Sequence, residues 1–334
     1  MKHYKITALI LSVLICLTMC SCSEKSEKKE IAVIVKATDS DFWHRVKDGV
    51  MAAATEYNVD VTFEGPENEE DSDAQISLIN RAVKNGVGAV VLSAIDFEKS
   101  AEAVNAAARA GVKIVAIDSA VNSKNVSAFI GTDNKEAGKA AAKAAIDGSG
   151  LHDNIKIGIV NYYESTENGR SRYEGFKEYI EGVPNAEIAA EITADSNTES
   201  ACKAAQDLLK AHPDVNVLVG FNEWMTLGIG EAVKSLADER NIYTVGFDTN
   251  TVSVGMLETG EIDALIVQNP FAIGYLGVKS ASALISGEGC DSEHYTAVTA
   301  VTRKNMFDSD IQKLLFNFTE RLLCIKQAAL DMKK

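Results

Sequence analysis

Five apolar runs in this chain stop abruptly at a hydrogen-bonding side chain. VKIVAI ends in Asp118, IKIGIV in Asn161, VLVGF in Asn222, YTVGF in Asp248 and IDALIV in Gln268. A sixth, IAVIVK, leads into Thr38-Asp39-Ser40-Asp41-Phe42-Trp43, a polar loop that closes on an aromatic pair. Taken singly, a strand-end Asp or Asn is a helix cap or turn residue. Taken together, these groups supply carboxylate acceptors, amides that donate or accept, and an apolar ring face, and Arg172 adds a guanidinium fork for oxygen atoms. That is chemistry for holding a small polar molecule. Chemistry for turning one over is missing: there is no G-x-S-x-G elbow, HExxH, P-loop or G-x-G-x-x-G after a strand. The five histidines, His3, His44, His152, His212 and His294, have no metal-ligand spacing. No enzyme activity, cofactor or metal is expected. The acidic stretch Glu67, Glu69, Glu70, Asp71 and Asp73 reads as a solvated loop and not as a calcium site.

The elements that must position these groups follow from the same pattern. Short β-rich runs fall at 31–36, 59–63, 87–93, 112–118 and 126–132, then at 155–161, 186–192, 215–221, 242–247, 262–268 and 295–301. Most are apolar on both faces, as parallel strands covered by helices on each side must be. Amphipathic helices lie between them. One spans about 41–57, with Val46, Val50, Ala53 and Tyr57 on one stripe, and another spans 74–84, with Ile76, Ile79 and Val83 together. Gly86 and Gly111 sit where a left-handed helix cap is needed, and Pro270 suits the first turn of a helix. Alternating strands and helices with short connections predict an α/β architecture. The strands are too many for one compact sheet and divide into two Rossmann-like lobes. Open parallel sheets bind ligands at the carboxyl ends of their strands, so the polar groups should converge on one face.

The N-terminus limits where this chemistry takes place. Lys2, His3 and Lys5 precede an apolar run, Ile6 to Leu17, and then Met19-Cys20-Ser21-Cys22 and the polar stretch SEKSEKKE. The run is short of the roughly 20 apolar residues of a membrane-spanning helix and reads as a signal peptide. A net charge of −15 argues against nucleic acid, whose phosphates need a basic surface. Of six cysteines, Cys16, Cys20 and Cys22 belong to the signal; Cys202, Cys290 and Cys324 are scattered and expected to be unpaired.

Two resemblances organise these readings. The N-terminal block resembles a bacterial lipoprotein signal. Cys22, after the small Ser21, fits the lipid-modified residue better than Cys20, which follows bulky Met19. Acyl chains contribute about 0.8 kcal/mol per buried CH2, so two or more would hold the protein on the cell membrane, outside the cytoplasm. From about Ile31 to Leu315 the chain resembles the ribose/galactose-type periplasmic binding proteins of ABC importers. The markers are DSDFW (39–43) with KDGV (47–50), AIDS (116–119), IGTDN (130–134), GRSRYEGF (169–176), FNEWMTLGIGEA (221–232), VGFDTN (245–250) and VQNP (267–270). The resemblance implies the type I periplasmic binding protein fold: two Rossmann-like lobes with parallel sheets, joined by a three-crossover hinge near Thr132, Gln268 and Val298. It divides the chain into a signal peptide (1–21), a tether (22–30), an N-terminal lobe (31–132 plus 269–297) and a C-terminal lobe (133–268 plus 298–318), and assigns no role to 319–334.

By the same resemblance Ser40, Phe42 and Trp43 match positions that touch a sugar, and Asp118, Arg172, Asn222, Asp248 and Gln268 match the main hydrogen-bonding positions. The implied function is capture of a monosaccharide by a monomer that closes its lobes and delivers the ligand to an ABC permease. The alternative is a sensor that presents the closed form to a histidine kinase or chemoreceptor. The same fold serves lac-repressor-type transcription factors, but those begin with a helix-turn-helix and this chain begins with an export signal. Two departures bear on the ligand. Asp118 is followed by Ser119 where the family often has Arg, and the second-lobe aromatic expected near Asp195-Ser196-Asn197 is absent; Trp224 is either its replacement or a residue packed against its own lobe.

Overall fold

A computed structural model of the chain describes residues 30–162, 165–236 and 241–316. Cys22, Cys324 and the segment 319–334 lie outside the described residues. Two six-stranded sheets form the frame. The first contains β1 (Glu30–Ile34), β2 (Asp60–Glu64), β3 (Ala89–Leu92), β4 (Lys113–Ile117), β5 (Ala128–Thr132) and β11 (Glu293–Thr296), in the order β11-β5-β4-β3-β1-β2. All its pairings are parallel. The second contains β6 (Ile155–Asn161), β7 (Ala186–Thr193), β8 (Val217–Gly220), β9 (Tyr243–Phe247), β10 (Ala264–Val267) and β12 (Thr299–Thr302), in the order β12-β10-β9-β8-β6-β7. Only the β10–β12 pairing is antiparallel. The chain therefore passes between sheets after β5, after β10 and between β11 and β12.

The last passage corrects the reading of 295–301 as one strand. The run is split between two sheets, with Ala297 and Val298 as the connection. The residue pattern shows no break there; the crossover near Val298 came from the family resemblance.

Burial explains why the remaining strands were legible. In β1, Ile31 and Val33 join one apolar cluster, while Ala32 and Ile34 join another on the opposite face. In β3, Ala89 and Val91 face the first cluster and Val90 and Leu92 the second. Neither face of these strands has room for a polar side chain. Helices α1 (Asp41–Glu56), α2 (Ser72–Lys84) and α3 (Ser100–Arg109) cover the first sheet together with α9 (Pro270–Ile285). Helices α4 (Asn134–Ser149), α5 (Glu167–Glu181), α6 (Thr198–Ala211), α7 (Glu223–Ser235) and α8 (Thr251–Thr259) belong to the second sheet, with α10 (Ser309–Leu315) beside them. Gly86 and Gly111 take φ of 79° and 90°, as their cap positions require, and Pro270 occupies the first turn of α9.

Each lobe contains a helix pair whose glycines meet the partner's backbone reciprocally. A methyl group at Gly138 of α4 would run into the backbone oxygen of Arg172 in α5, and one at Gly175 of α5 into that of Lys135. Gly49 of α1 and Gly274 of α9 make the same reciprocal contact in the first lobe, against Phe271 and Val46. The α4–α5 contact sets the depth at which Arg172 sits. Gly138→Val is therefore expected to destabilise the fold by about 1–3 kcal/mol through overpacking. A lower denaturant midpoint with an unchanged m-value is the expected observation, and an unchanged midpoint would mean the two helices separate freely.

Candidate functional site

The carboxyl ends of the two sheets enclose a narrow cleft. Ser40, Phe42, Trp43 and Asp118 line it from the first lobe, and Arg172, Asn222 and Asp248 from the second, with Gln268 at a passage between them. All eight residues singled out in the sequence are thus brought together. Asn161 is not. Its side-chain oxygen accepts from the Tyr162 backbone N–H at 2.9 Å, which uses it as a turn residue.

The two aspartates occupy equivalent places. Asp118 follows β4 and Asp248 follows β9, with φ of 58° and 65°, a left-handed conformation uncommon outside glycine but accessible to Asp. Each backbone N–H still bonds the neighbouring strand, Asp118 to Ile130 at 2.9 Å and Asp248 to Ile266 at 3.0 Å. The chain turns sharply there and both carboxylates face the cleft.

In the second lobe Arg172 is only 1% exposed. Its Nε donates to Asn134 Oδ1 at 2.9 Å and its Nη1 to the Phe221 carbonyl at 2.6 Å, while its Cζ lies 4.7 Å from the Phe247 ring centroid. Nη2 is buried and has no partner among the described residues. Asn222 shows how a strand-end amide can serve twice. Its Oδ1 caps α7 by accepting from Met225 N at 2.9 Å, and its buried Nδ2 has no partner among the described residues. An unsatisfied buried donor costs about 1–3 kcal/mol, so two in one cleft mark a place for acceptor atoms from outside the chain. Gln268 is a buttress: its Nε2 donates to Asp248 Oδ1 at 2.6 Å and its Oε1 accepts from Thr132 Oγ1 at 2.7 Å. Ser40 caps α1 by accepting from Trp43 N at 3.3 Å.

Six further residues line the cleft: Lys36, Glu69, Tyr162, Asn168, Glu223 and Trp224. Lys36 carried the same strand-end signal as the others, as the last residue of IAVIVK. Glu69 had no such signal, and the acidic stretch is not simply a solvated loop. Glu69 Oε1 accepts from the indole N–H of Trp43 at 2.8 Å, Asp71 caps α2, and Glu70 Oε1 accepts from Ser196 N of the other lobe at 2.7 Å. Trp224 lies half-buried, lining the cleft while packing against the second-lobe core. Phe42 and Trp43 meet edge to face with centroids 4.9 Å apart.

Polar bonds cross directly from lobe to lobe. Asn168 Oδ1 accepts from Lys36 Nζ, from Tyr162 Oη, both at 2.9 Å, and from Gly169 N at 3.0 Å. Three donors on one atom fix the amide orientation, and Nδ2 then points at the Asp118 carboxylate at 3.2 Å and 3.4 Å. Asp118 Oδ2 also accepts from Ser93 Oγ at 2.9 Å and lies 3.9 Å from Lys36 Nζ. Glu223 accepts from Phe42 N at 3.2 Å and from Asn250 Nδ2 at 2.7 Å. Arg45 of α1 donates to the Leu314 and Leu315 carbonyls, each at 2.7 Å. Burial shifts the charges inside. It pushes the Lys36 ammonium below its ordinary value against the pull of Asp118. It raises Asp248, which Arg172 opposes, and Glu223, which the Asn250 bond opposes.

A family model described as a periplasmic binding protein domain matches residues 31–289. The chain belongs to the periplasmic binding protein family. Its curated relatives include a ribose import binding protein of Haemophilus influenzae, 28% identical, with 86% of this chain and 96% of the relative covered. A D-ribose/D-allose-binding protein of Pseudomonas aeruginosa is 25% identical, with 81% and 86% covered. Among solved structures, a carbohydrate transporter solute-binding protein from Agrobacterium radiobacter in complex with D-arabinose superposes with a TM-score of 0.84, at 30% identity, covering 87% of this chain and 100% of that one. A solute-binding protein from Agrobacterium vitis with bound D-fucose gives 0.82 at 31% identity, covering 86% and 100%. These relatives bind solutes and are not enzymes.

In this periplasmic binding protein the bonds through Asn168 join the lobes. Asn168→Ala leaves Lys36 and Asp118 short of partners across the cleft. A larger radius of gyration of the ligand-free protein in small-angle X-ray scattering is the expected outcome. An unchanged profile would show that these bonds do not hold the lobes together.

Proposed function

We propose that this periplasmic binding protein captures a monosaccharide, a pentose or hexose, between its lobes and delivers it to an ABC importer. The observation that carries the reading is the pair of buried donors without partners among the described residues, Arg172 Nη2 and Asn222 Nδ2, set against the carboxylates of Asp118 and Asp248. A sugar offers each of its hydroxyls as both donor and acceptor, so one ring can satisfy donors and acceptors together. Its C–H faces have an apolar counterpart in Phe42 and Trp43 on one side and Trp224 on the other. Arabinose, fucose and ribose in the descriptions of relatives support the same ligand class. The N-terminal sequence supports attachment outside the cytoplasm through a lipid on Cys22, with 22–30 as a tether and two lobes made of 31–132 plus 269–297 and 133–268 plus 298–318.

In a thermal-shift panel of D-ribose, D-allose, D-arabinose and D-fucose, at least one sugar is expected to raise the melting temperature of the mature protein. For that sugar, Asp248→Asn keeps a residue that tolerates the left-handed turn and removes the charge. Hydrogen bonds to charged groups contribute roughly 1.5–3 kcal/mol, and about 1.4 kcal/mol is tenfold in affinity. Calorimetry should show a loss of about one to two decades. A panel without any stabilising sugar, or unaltered affinity in Asp248→Asn, would remove the monosaccharide reading or Asp248's part in it, respectively.

A further inference from the structure

We infer that Glu69 is a positioning residue that fixes the aromatic wall of the cleft through Trp43. This rests on the reading of the cleft as a ligand site. The geometry places two adjacent glutamates in different jobs. Glu69 Oε1 holds the indole N–H of Trp43 at 2.8 Å, while Glu70 Oε1 reaches Ser196 N of the opposite lobe at 2.7 Å. The turn that orients the ring is thereby tied to the lobe that closes over it. Trp43 is otherwise buried, its ring edge set against Phe42. The indole has one N–H and one donor direction, so the position of the Glu69 oxygen dictates how the ring face is presented.

The charges around this carboxyl group are defined. Lys36, after β1, attracts it; Asp118, after β4, and Glu70, in the same turn, repel it; Arg172 lines the cleft from the other lobe. Burial outweighs the Lys36 attraction and the indole bond, and pushes the Glu69 carboxyl up to about 7. The residue as a whole remains half-buried, with its carboxyl on the cleft side. Above about 7 the carboxyl is charged and holds the indole N–H more strongly.

The test has one arm that needs no ligand. With only two tryptophans in the chain, Trp43 and Trp224, the indole N–H signals can be assigned by Trp43→Phe in 1H–15N spectra. In the wild-type protein the Trp43 signal should titrate with a midpoint near 7, while Trp224 provides the internal control. In Glu69→Gln, which keeps an acceptor oxygen and loses the proton, that titration should vanish. A Trp43 signal that stays flat from about pH 5.5 to 8.5, or that titrates equally in Glu69→Gln, overturns the inference whatever the protein binds. The second arm measures affinity for a sugar of the panel. Glu69→Ala, which removes the acceptor of the indole N–H, should weaken binding about tenfold, while Glu69→Gln, which keeps one, should bind as wild type does. Equal affinity in all three proteins overturns the positioning role. A titrating Trp43 in a protein that binds no sugar leaves the Glu69–Trp43 coupling standing and rejects the monosaccharide as ligand.

Discussion

A parallel strand covered on both faces can carry polar chemistry only where it ends. That constraint governs this protein. Ile31 and Val33 face one apolar cluster and Ala32 and Ile34 another, and the same division runs through β3. Any ligand-binding group on these strands must come after the last strand residue. Lys36, Asp118, Asn222, Asp248 and Gln268 all do so, which is why two sheets with unrelated side chains produce one cleft.

The cleft is built from groups that the protein leaves partly unsatisfied. A buried guanidinium paired with a carboxylate would neutralise itself and offer little to a ligand. Arg172 instead spends Nε on an amide and Nη1 on a carbonyl, lies against the Phe247 ring, and leaves Nη2 facing the cleft. The same economy holds for Asn222, whose oxygen terminates a helix while its nitrogen stays free. Gln268 differs, since both ends of its amide are engaged within the protein, and its part is to hold Asp248 in place. The missing Arg after Asp118 has a counterpart in space: Lys36, from another strand, brings a cation to 3.9 Å from the same carboxylate.

Closure and binding are coupled by residues shared between them. Asn168 links Lys36, Tyr162 and Asp118, two of which belong to the lobe opposite its own. Phe42, a wall of the cleft, gives its backbone N–H to Glu223 across the gap. Because the groups that shape the pocket also bridge the lobes, the pocket has its full complement of polar contacts only when the lobes meet.

The sequence by itself determined the alternation of strands and helices, the two-lobed α/β class and the strand-end residues of the cleft. Those features are local: burial on both faces writes a continuous apolar run, and a strand end writes a polar residue after it. The family resemblance added which strand ends matter, where residue pattern alone would have included Asn161. Only the tertiary structure decided which residues of 295–301 pair with which sheet, since the residue pattern showed one run and the family resemblance no more than a crossover near Val298. Only the tertiary structure, too, brought Glu69 and Glu70 to Trp43 and Ser196. An irregular acidic loop has no periodicity to reveal its direction, and its partners lie 26 and 126 residues away in sequence, so their meeting depends on how the strands are ordered and how the lobes face each other.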